Sequence, residues 1–119
     1  MPFQPSERAR DACEDIITNA QAAESFVAGL SYEAFVADRR TNYAVVRCRE
    51  IISEASRRLT DEMRGRHPNV PWRDIADAGN VYRHGYHRVM LDNVWRTVHE
   101  RLADLVAACR AELDRVPES

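Results

Sequence analysis

Lysine is absent from the 119-residue sequence, whose seventeen basic residues are all arginine. Arginine favours planar, bidentate contacts with carboxylates and phosphates. A bias in genomic base composition would also explain why arginine replaces lysine throughout. Long apolar runs are also missing, and the chain does not start with a basic segment followed by an apolar one. A Gly-rich phosphate loop and strand-like alternation are missing as well. These absences favour a cytoplasmic, helical protein with no membrane segment and no nucleotide cofactor.

The cysteines are few, odd in number and widely spaced: Cys13, Cys48 and Cys109. Such spacing argues against a disulfide framework or a zinc site. Each cysteine lies in an apolar helical stripe, so we expect buried free thiols in a reducing compartment. No histidine follows a glutamate by three residues, as the Glu-x-x-His pattern of di-iron bundles requires. We therefore expect neither a metal nor another cofactor.

Charge is unevenly distributed along the chain, although the formal net charge is only -2. Residues 1–38 contain two arginines and seven acidic residues, whereas residues 39–73 contain nine arginines and four acidic residues. The second region is therefore locally basic. Such a region could serve a ligand that carries phosphate.

Three segments repeat apolar residues at steps of three and four, which predicts three long helices. The first runs to Val27, with Ser6 as its N-cap and Gly29 as its stop signal. The second spans about residues 39–64, and the third begins near Asp92 and stops before Pro117.

Two shorter elements complete the prediction. Ser31 to Asp38 forms a packed connector of one or two turns, and a fourth helix runs from near Trp72 to near Arg83 before Gly85 breaks it. A chain of 119 residues is long enough to bury one hydrophobic core but not two. We therefore predict a single domain over residues 1–119, an all-α, up-and-down bundle of about five helices.

Chemistry-bearing residues cluster in GNVYRHGYHR, residues 79–88, at the break after the fourth helix. Histidine exchanges protons near neutral pH, arginine binds phosphate, and a helix end offers free backbone donors. The alternative is that these are turn residues whose tyrosines pack on the core and whose charges are solvated. On physical grounds alone the two interpretations are about equal.

The order and spacing of several segments resemble the HepT-like toxins of the HEPN superfamily. These segments are SYEAFVAD, VPWRDIA, NVYRHGY and DNVWRTV, and together with the long helices they span nearly the whole chain. Members of that family are all-helical, metal-independent endoribonucleases paired with minimal nucleotidyltransferase antitoxins. The resemblance implies an HEPN-like fold and RNase activity.

The family motif is an arginine, four to six residues of any kind, a histidine and, two positions later, a tyrosine. His84 and Tyr86 match this motif, but Gly79 occupies the usual position of the arginine. The resemblance implies His84 as the catalytic base and Tyr86 as a catalytic residue that orients substrate. Loss of a cation that stabilises transition-state charge costs on the order of a hundred-fold in rate.

Further roles follow from the same resemblance. Asn80, Arg83, Arg88 and Arg73 are candidate RNA-binding residues. Tyr86 is also a candidate for modification with AMP by the nucleotidyltransferase. The resemblance further implies a homodimer whose two motifs line a shared cleft.

Three functions therefore remain open. The first is a HepT-like RNase toxin that uses a non-standard arginine. The second is a catalytically weak or inactive HEPN domain that acts as the binding partner of a nucleotidyltransferase. The third is a structural helical dimer, which we weight least.

Overall fold

The computed structural model describes residues 5–77 and 87–115, except for the side chains of Pro5, Ser6, His87 and Val89. Within these residues the chain forms seven α-helices and no strand. They are α1 (Pro5–Val27), α2 (Tyr32–Ala37), α3 (Arg39–Ser56), α4 (Asp61–Gly65), α5 (Trp72–Asp77), α6 (His87–Glu100) and α7 (Leu102–Asp114). The all-α prediction is confirmed. The helices outnumber the expected five chiefly because two predicted long helices are interrupted.

The core forms where α1 packs along α3 and α7. Ile16 on α1, Ile52 on α3 and Leu105 on α7 are all fully buried. Burying a side chain of this size contributes roughly 1.5–3 kcal/mol relative to leaving it exposed. Helix α3 also contacts α5 and α6, so it reaches both helices that flank residues 78–86.

Helix α1 ends as the sequence predicts but begins earlier. Gly29 follows its last residue, Val27, with φ +77°, a left-handed conformation that glycine adopts without a steric penalty. At the other end α1 starts at Pro5, which suits a first helical turn. The predicted N-cap Ser6 therefore lies inside the helix.

Helices α2 and α3 begin at side-chain caps. The Ser31 Oγ accepts the N–H of Ala34 at 3.1 Å, and the Asp38 Oδ1 accepts the N–H of Thr41 at 3.1 Å. Each cap satisfies one of the backbone donors left open at a helix start. The predicted connector from Ser31 to Asp38 is thus confirmed as the short helix α2.

A turn at residues 57–60 divides the helix predicted for about residues 39–64. Here the N–H groups of residues 57–59 reach carbonyls three positions back, the tighter pattern typical of helix ends. Thr60 then starts α4, because its Oγ1 accepts the N–H of Met63 at 3.1 Å. Sequence spacing hides this turn because the three-four apolar pattern continues across it.

The C-terminal helix also differs from its prediction. Helix α6 starts at His87, before the predicted Asp92, and the chain bends at Arg101 before α7. The Thr97 Oγ1 donates to the Asn93 carbonyl at 2.8 Å, four residues back. Hydroxyl back-bonding of this kind often bends helices. The three-four pattern survives the bend and therefore predicts a continuous helix.

The three cysteines are buried and free, as predicted. Burial raises the pKa of the Cys48 thiol. Cys13 on α1 and Cys109 on α7 share a hydrogen bond, which together with burial raises the pKa of Cys109. Residues far apart in sequence thus meet at the α1–α7 contact.

None of the helices over residues 5–77 and 87–115 combines the length and the apolar character that crossing a bilayer requires.

Candidate functional site

The segment predicted to carry catalysis follows α5 and precedes α6. The predicted residues that fall in it, outside the described part of the chain, are Gly79, Asn80, Arg83, His84 and Tyr86. Their roles stay predictions. The structure shows how the ends of the two flanking helices are held.

Arg73 and Arg88 are the candidate RNA-binding residues that the structure describes. Arg73 is exposed on α5, and Arg88 is exposed in the first turn of α6. Near Arg88, the Tyr32 hydroxyl donates a hydrogen bond to Asp92. This bond raises the pKa of Tyr32, and the charge of Arg88 opposes the rise. The start of α6 is therefore tied to α2 by polar contacts.

Arg49 and Ser53 of α3, and Arg57 directly after it, bind the last carbonyls of α5 that the structure describes. Arg49 donates to the carbonyl oxygens of residues 75 and 74 at 3.0 and 3.3 Å. The Ser53 Oγ and the Arg57 Nη2 donate to the carbonyl of residue 76 at 2.8 and 2.6 Å. Cations placed near the carbonyl end of a helix interact favourably with the helix dipole.

These donors fix the end of α5 from which the predicted catalytic segment departs. Arg49 is only 2% exposed, so its guanidinium is an internal support and does not face solvent. The sequence carries a signal for this arrangement: Arg49, Ser53 and Arg57 recur every four residues and share a helix face. We did not predict it, because nothing in the sequence says that α5 ends against this face.

An arginine-lined groove runs beside α5. Its volume is about 370 Å³, and its lining residues are Ser56, Arg57, Arg64, Trp72, Arg73, Ala76 and Asp77. Arg57 and Arg73 are exposed, whereas Arg64 is held by the Ser56 carbonyl at 3.1 Å and by Asp61 at 2.6 Å. Arg73 has no hydrogen-bond or ion-pair partner among the described residues.

The wall of this groove includes an anchored indole. The Trp72 Nε1 donates to the carbonyl oxygens of His67 and Arg64 at 3.0 and 3.1 Å. A tryptophan held in this way keeps its ring orientation without help from a ligand. The groove thus combines arginine charges with a fixed aromatic surface.

A buried carboxylate anchors the segment that carries Trp72. Glu112 on α7, with a side chain 6% exposed, accepts from the Arg66 Nε at 3.0 Å and lies 2.7 Å from the His67 Nε2. The hydrogen bond from Arg66 lowers the pKa of Glu112, and the one from His67 lowers it further. The contact ties α7 to the residues that lead into α5.

Glu112→Gln should lower the free energy of unfolding at neutral pH by about 1 kcal/mol, because charge-assisted hydrogen bonds become neutral ones. Since folding lowers the pKa of Glu112, its contribution is present above the ordinary glutamate pKa and is lost as pH falls through the lower folded value. Urea unfolding at neutral and acidic pH measures both effects. Glu100→Gln, which removes an exposed carboxylate from α6, is the control. Equal acid sensitivity of wild type and Glu112→Gln would contradict this account.

Metal-ligating side chains do not gather in the described residues: no three or more of His, Cys, Asp or Glu are placed to hold an ion.

The described residues form an all-α protein with an arginine-lined groove beside α5, and in the sequence a segment with His84 and Tyr86 follows α5 directly. The family model that matches the chain is described as "Ribonuclease HepT-like" and covers residues 16–112. The chain belongs to this HepT-like ribonuclease family. The resemblance seen in the sequence is confirmed.

Curated relatives agree with this assignment. The "Probable ribonuclease HepT" of Thermococcus cleftensis is 34% identical over 96 residues, which cover 81% of this chain and 87% of the relative. A "Putative RNase" of Methanocaldococcus jannaschii is 34% identical over 86 residues, covering 72% and 79% of the two chains. Another so named, from Caldanaerobacter subterraneus, is 34% identical over 96 residues, covering 81% and 86%. No solved structure matches the chain significantly.

Proposed function

We propose that the chain is a metal-independent endoribonuclease and the toxin of a toxin–antitoxin pair whose antitoxin is a minimal nucleotidyltransferase. The observation that carries the proposal is membership of the HepT-like ribonuclease family over residues 16–112. His84 and Tyr86 support it, because they retain two of the three motif positions.

In the proposed reaction His84 takes the proton of a ribose 2′-OH. The 2′-oxygen then forms a bond to the adjacent phosphorus, the bond from phosphorus to the 5′-oxygen breaks, and the leaving 5′-oxygen takes up a proton. Negative charge accumulates on the phosphoryl oxygens in the transition state, where a cation is most effective. Arg83 and Arg88, which lie close to His84 in the sequence, are the candidates for that cation, since Gly79 supplies none.

Gly79 favours a second candidate function. A HEPN domain without the motif arginine could serve as the binding partner of the nucleotidyltransferase with little or no cleavage of its own. In both cases we propose a cytoplasmic homodimer. We propose that the nucleotidyltransferase adds AMP to Tyr86, placing negative charge where an RNA phosphate would lie.

Incubating the purified protein with RNA in the presence of a chelator tests the proposal. We expect endonucleolytic products from wild type and a large loss of cleavage in His84→Ala, because the base is gone. Thermal melts of both proteins establish that the variant is folded. Equal cleavage by both proteins would place the activity elsewhere or in a contaminant. No cleavage by folded wild type would favour the second function.

A further inference from the structure

We propose that the arginine-lined groove beside α5 is a subsite for single-stranded RNA, in which Arg57, Arg64 and Arg73 hold backbone phosphate and Trp72 supports a base. The proposal deepens the proposed ribonuclease function and rests on it, since it names where the substrate strand lies outside the reacting phosphate.

Charge is the first argument. Three arginines line the groove, and Asp77 is the single acidic residue among its lining residues. Asp61 neutralises part of the Arg64 charge, but Arg73 is exposed and has no ion-pair partner among residues 5–77 and 87–115. The guanidinium of Arg57 is fixed by its bond to the Ala76 carbonyl. An exposed arginine without a partner among these residues, together with an arginine held in place, offers phosphate oxygens charged hydrogen-bond donors.

Shape and aromatic character supply the second argument. A groove of about 370 Å³ is open to solvent along one side of a short helix. Its tryptophan is oriented by two backbone carbonyls, so binding a base to it would order no further side chain. Grooves that bind single strands pair basic residues along the backbone with aromatic rings that stack on bases.

Position along the chain supplies the third argument. Ala76 and Asp77 line the groove and are followed directly by residues 78–86, which carry His84. A strand held here therefore lies beside the start of the predicted catalytic segment. Base stacking needs unpaired bases, whereas the bases of an A-form duplex are stacked on each other. We therefore infer a preference for single strands over duplexes.

The test is binding of a fluorescent 2′-O-methyl oligonucleotide of about 12 nucleotides, a length on the scale of single-strand sites. This probe lacks the 2′-OH that cleavage requires, so binding is read separately from catalysis. Anisotropy is measured between about 50 and 200 mM salt, because each phosphate contact on a single strand adds about 0.7 to the salt slope. A duplex of the same length is the comparison ligand.

Arg73→Gln should weaken binding several-fold and reduce the salt slope by about 0.7. The combined change of Arg57, Arg64 and Arg73 to Gln should reduce the slope by about 2. Asp77→Asn should instead tighten binding, because it removes the acidic group from the groove. Arg47→Gln is the matched control, since Arg47 is an exposed arginine of α3 that does not line the groove.

Unchanged affinity and slope in Arg73→Gln and in the triple variant would overturn the subsite, as would weaker binding by Asp77→Asn. If wild type still cleaves RNA and His84→Ala does not, the ribonuclease function would survive that failure. If the variants lose RNA binding while wild type shows no cleavage, the subsite stands and the nuclease function falls. Loss of binding to a nucleotidyltransferase with RNA binding intact would assign the groove to a protein partner and reject the proposal.

Discussion

Gly79→Arg should accelerate RNA cleavage about a hundred-fold, the usual magnitude for one donor that stabilises transition-state charge. The substitution restores an arginine five residues before His84, the spacing typical of the family motif. Initial cleavage rates under single-turnover conditions measure the effect on the chemical step. Wild type should be the slower nuclease because its cation comes from a residue outside the motif position.

Gly65→Arg is the matched control for this experiment. It adds the same charge to a glycine at the end of α4, where an added Cβ meets no atom within 4 Å. Adding His84→Ala to Gly79→Arg should abolish the gain. If folded Gly79→Arg cleaves no faster than wild type, a cation already occupies the site or the domain is no longer a nuclease. His84→Ala in the wild-type background separates these two cases. If a cation already occupies the site, this variant loses measurable cleavage; if the domain is no longer a nuclease, there is no cleavage for it to lose.

Arg49→Met should lower the free energy of unfolding by about 2–3 kcal/mol, because it removes the donors to two carbonyls at the end of α5. Buried hydrogen bonds to a charged group contribute more than neutral ones, although removing a buried charge offsets part of the loss. Urea unfolding measures the change. RNA cleavage should fall further than the unfolded fraction explains, since the end of α5 leads into residues 78–86.

Arg47→Met provides the control for Arg49→Met. Arg47 lies two residues away on α3, and its side chain is 62% exposed, so its replacement should change stability by less than about 0.5 kcal/mol. Arg49→Lys keeps the charge but not the forked geometry and should be intermediate. Equal stability of Arg49→Met and wild type would show that the Arg49 hydrogen bonds to α5 do not stabilise the fold.

Apolar periodicity predicted the helical class because burial dominates that choice. Cap and stop residues predicted several boundaries: the end of the first helix before Gly29, the short connector between Ser31 and Asp38, and the start of α5 near Trp72. The apolar pattern did not predict every break. It missed the turn at residues 57–60 and the bend at Arg101. At both places the apolar pattern continues while the backbone changes; at the first, the Thr60 side chain caps a new helix. Such a local change leaves no trace in the spacing of apolar residues.

The candidate site was also predicted only in part. His84 and Tyr86 were proposed because they match the motif of the family that the sequence resembles, and Arg73 because it opens the predicted helix that precedes them; their roles stay predictions. Arg57, Arg64 and Trp72 were not proposed as site residues, because the groove exists only when α5 packs beside the turn after α3. The excess of arginine in residues 39–73 did signal a basic region, but composition alone does not say which of those arginines share a surface.

The contact of Glu112 with Arg66 and His67 bears on the choice of a minimal fragment. The family match ends at residue 112, the position of this buried carboxylate. A fragment cut at residue 111 would lose the anchor of the segment that leads to Trp72, while one that ends at 115 retains it together with the rest of α7. Because the Trp72 Nε1 binds the His67 carbonyl, a truncation that removes residue 112 would also affect the groove wall. For labels, fusions and truncations, the last turn of α7 is therefore part of the folded unit.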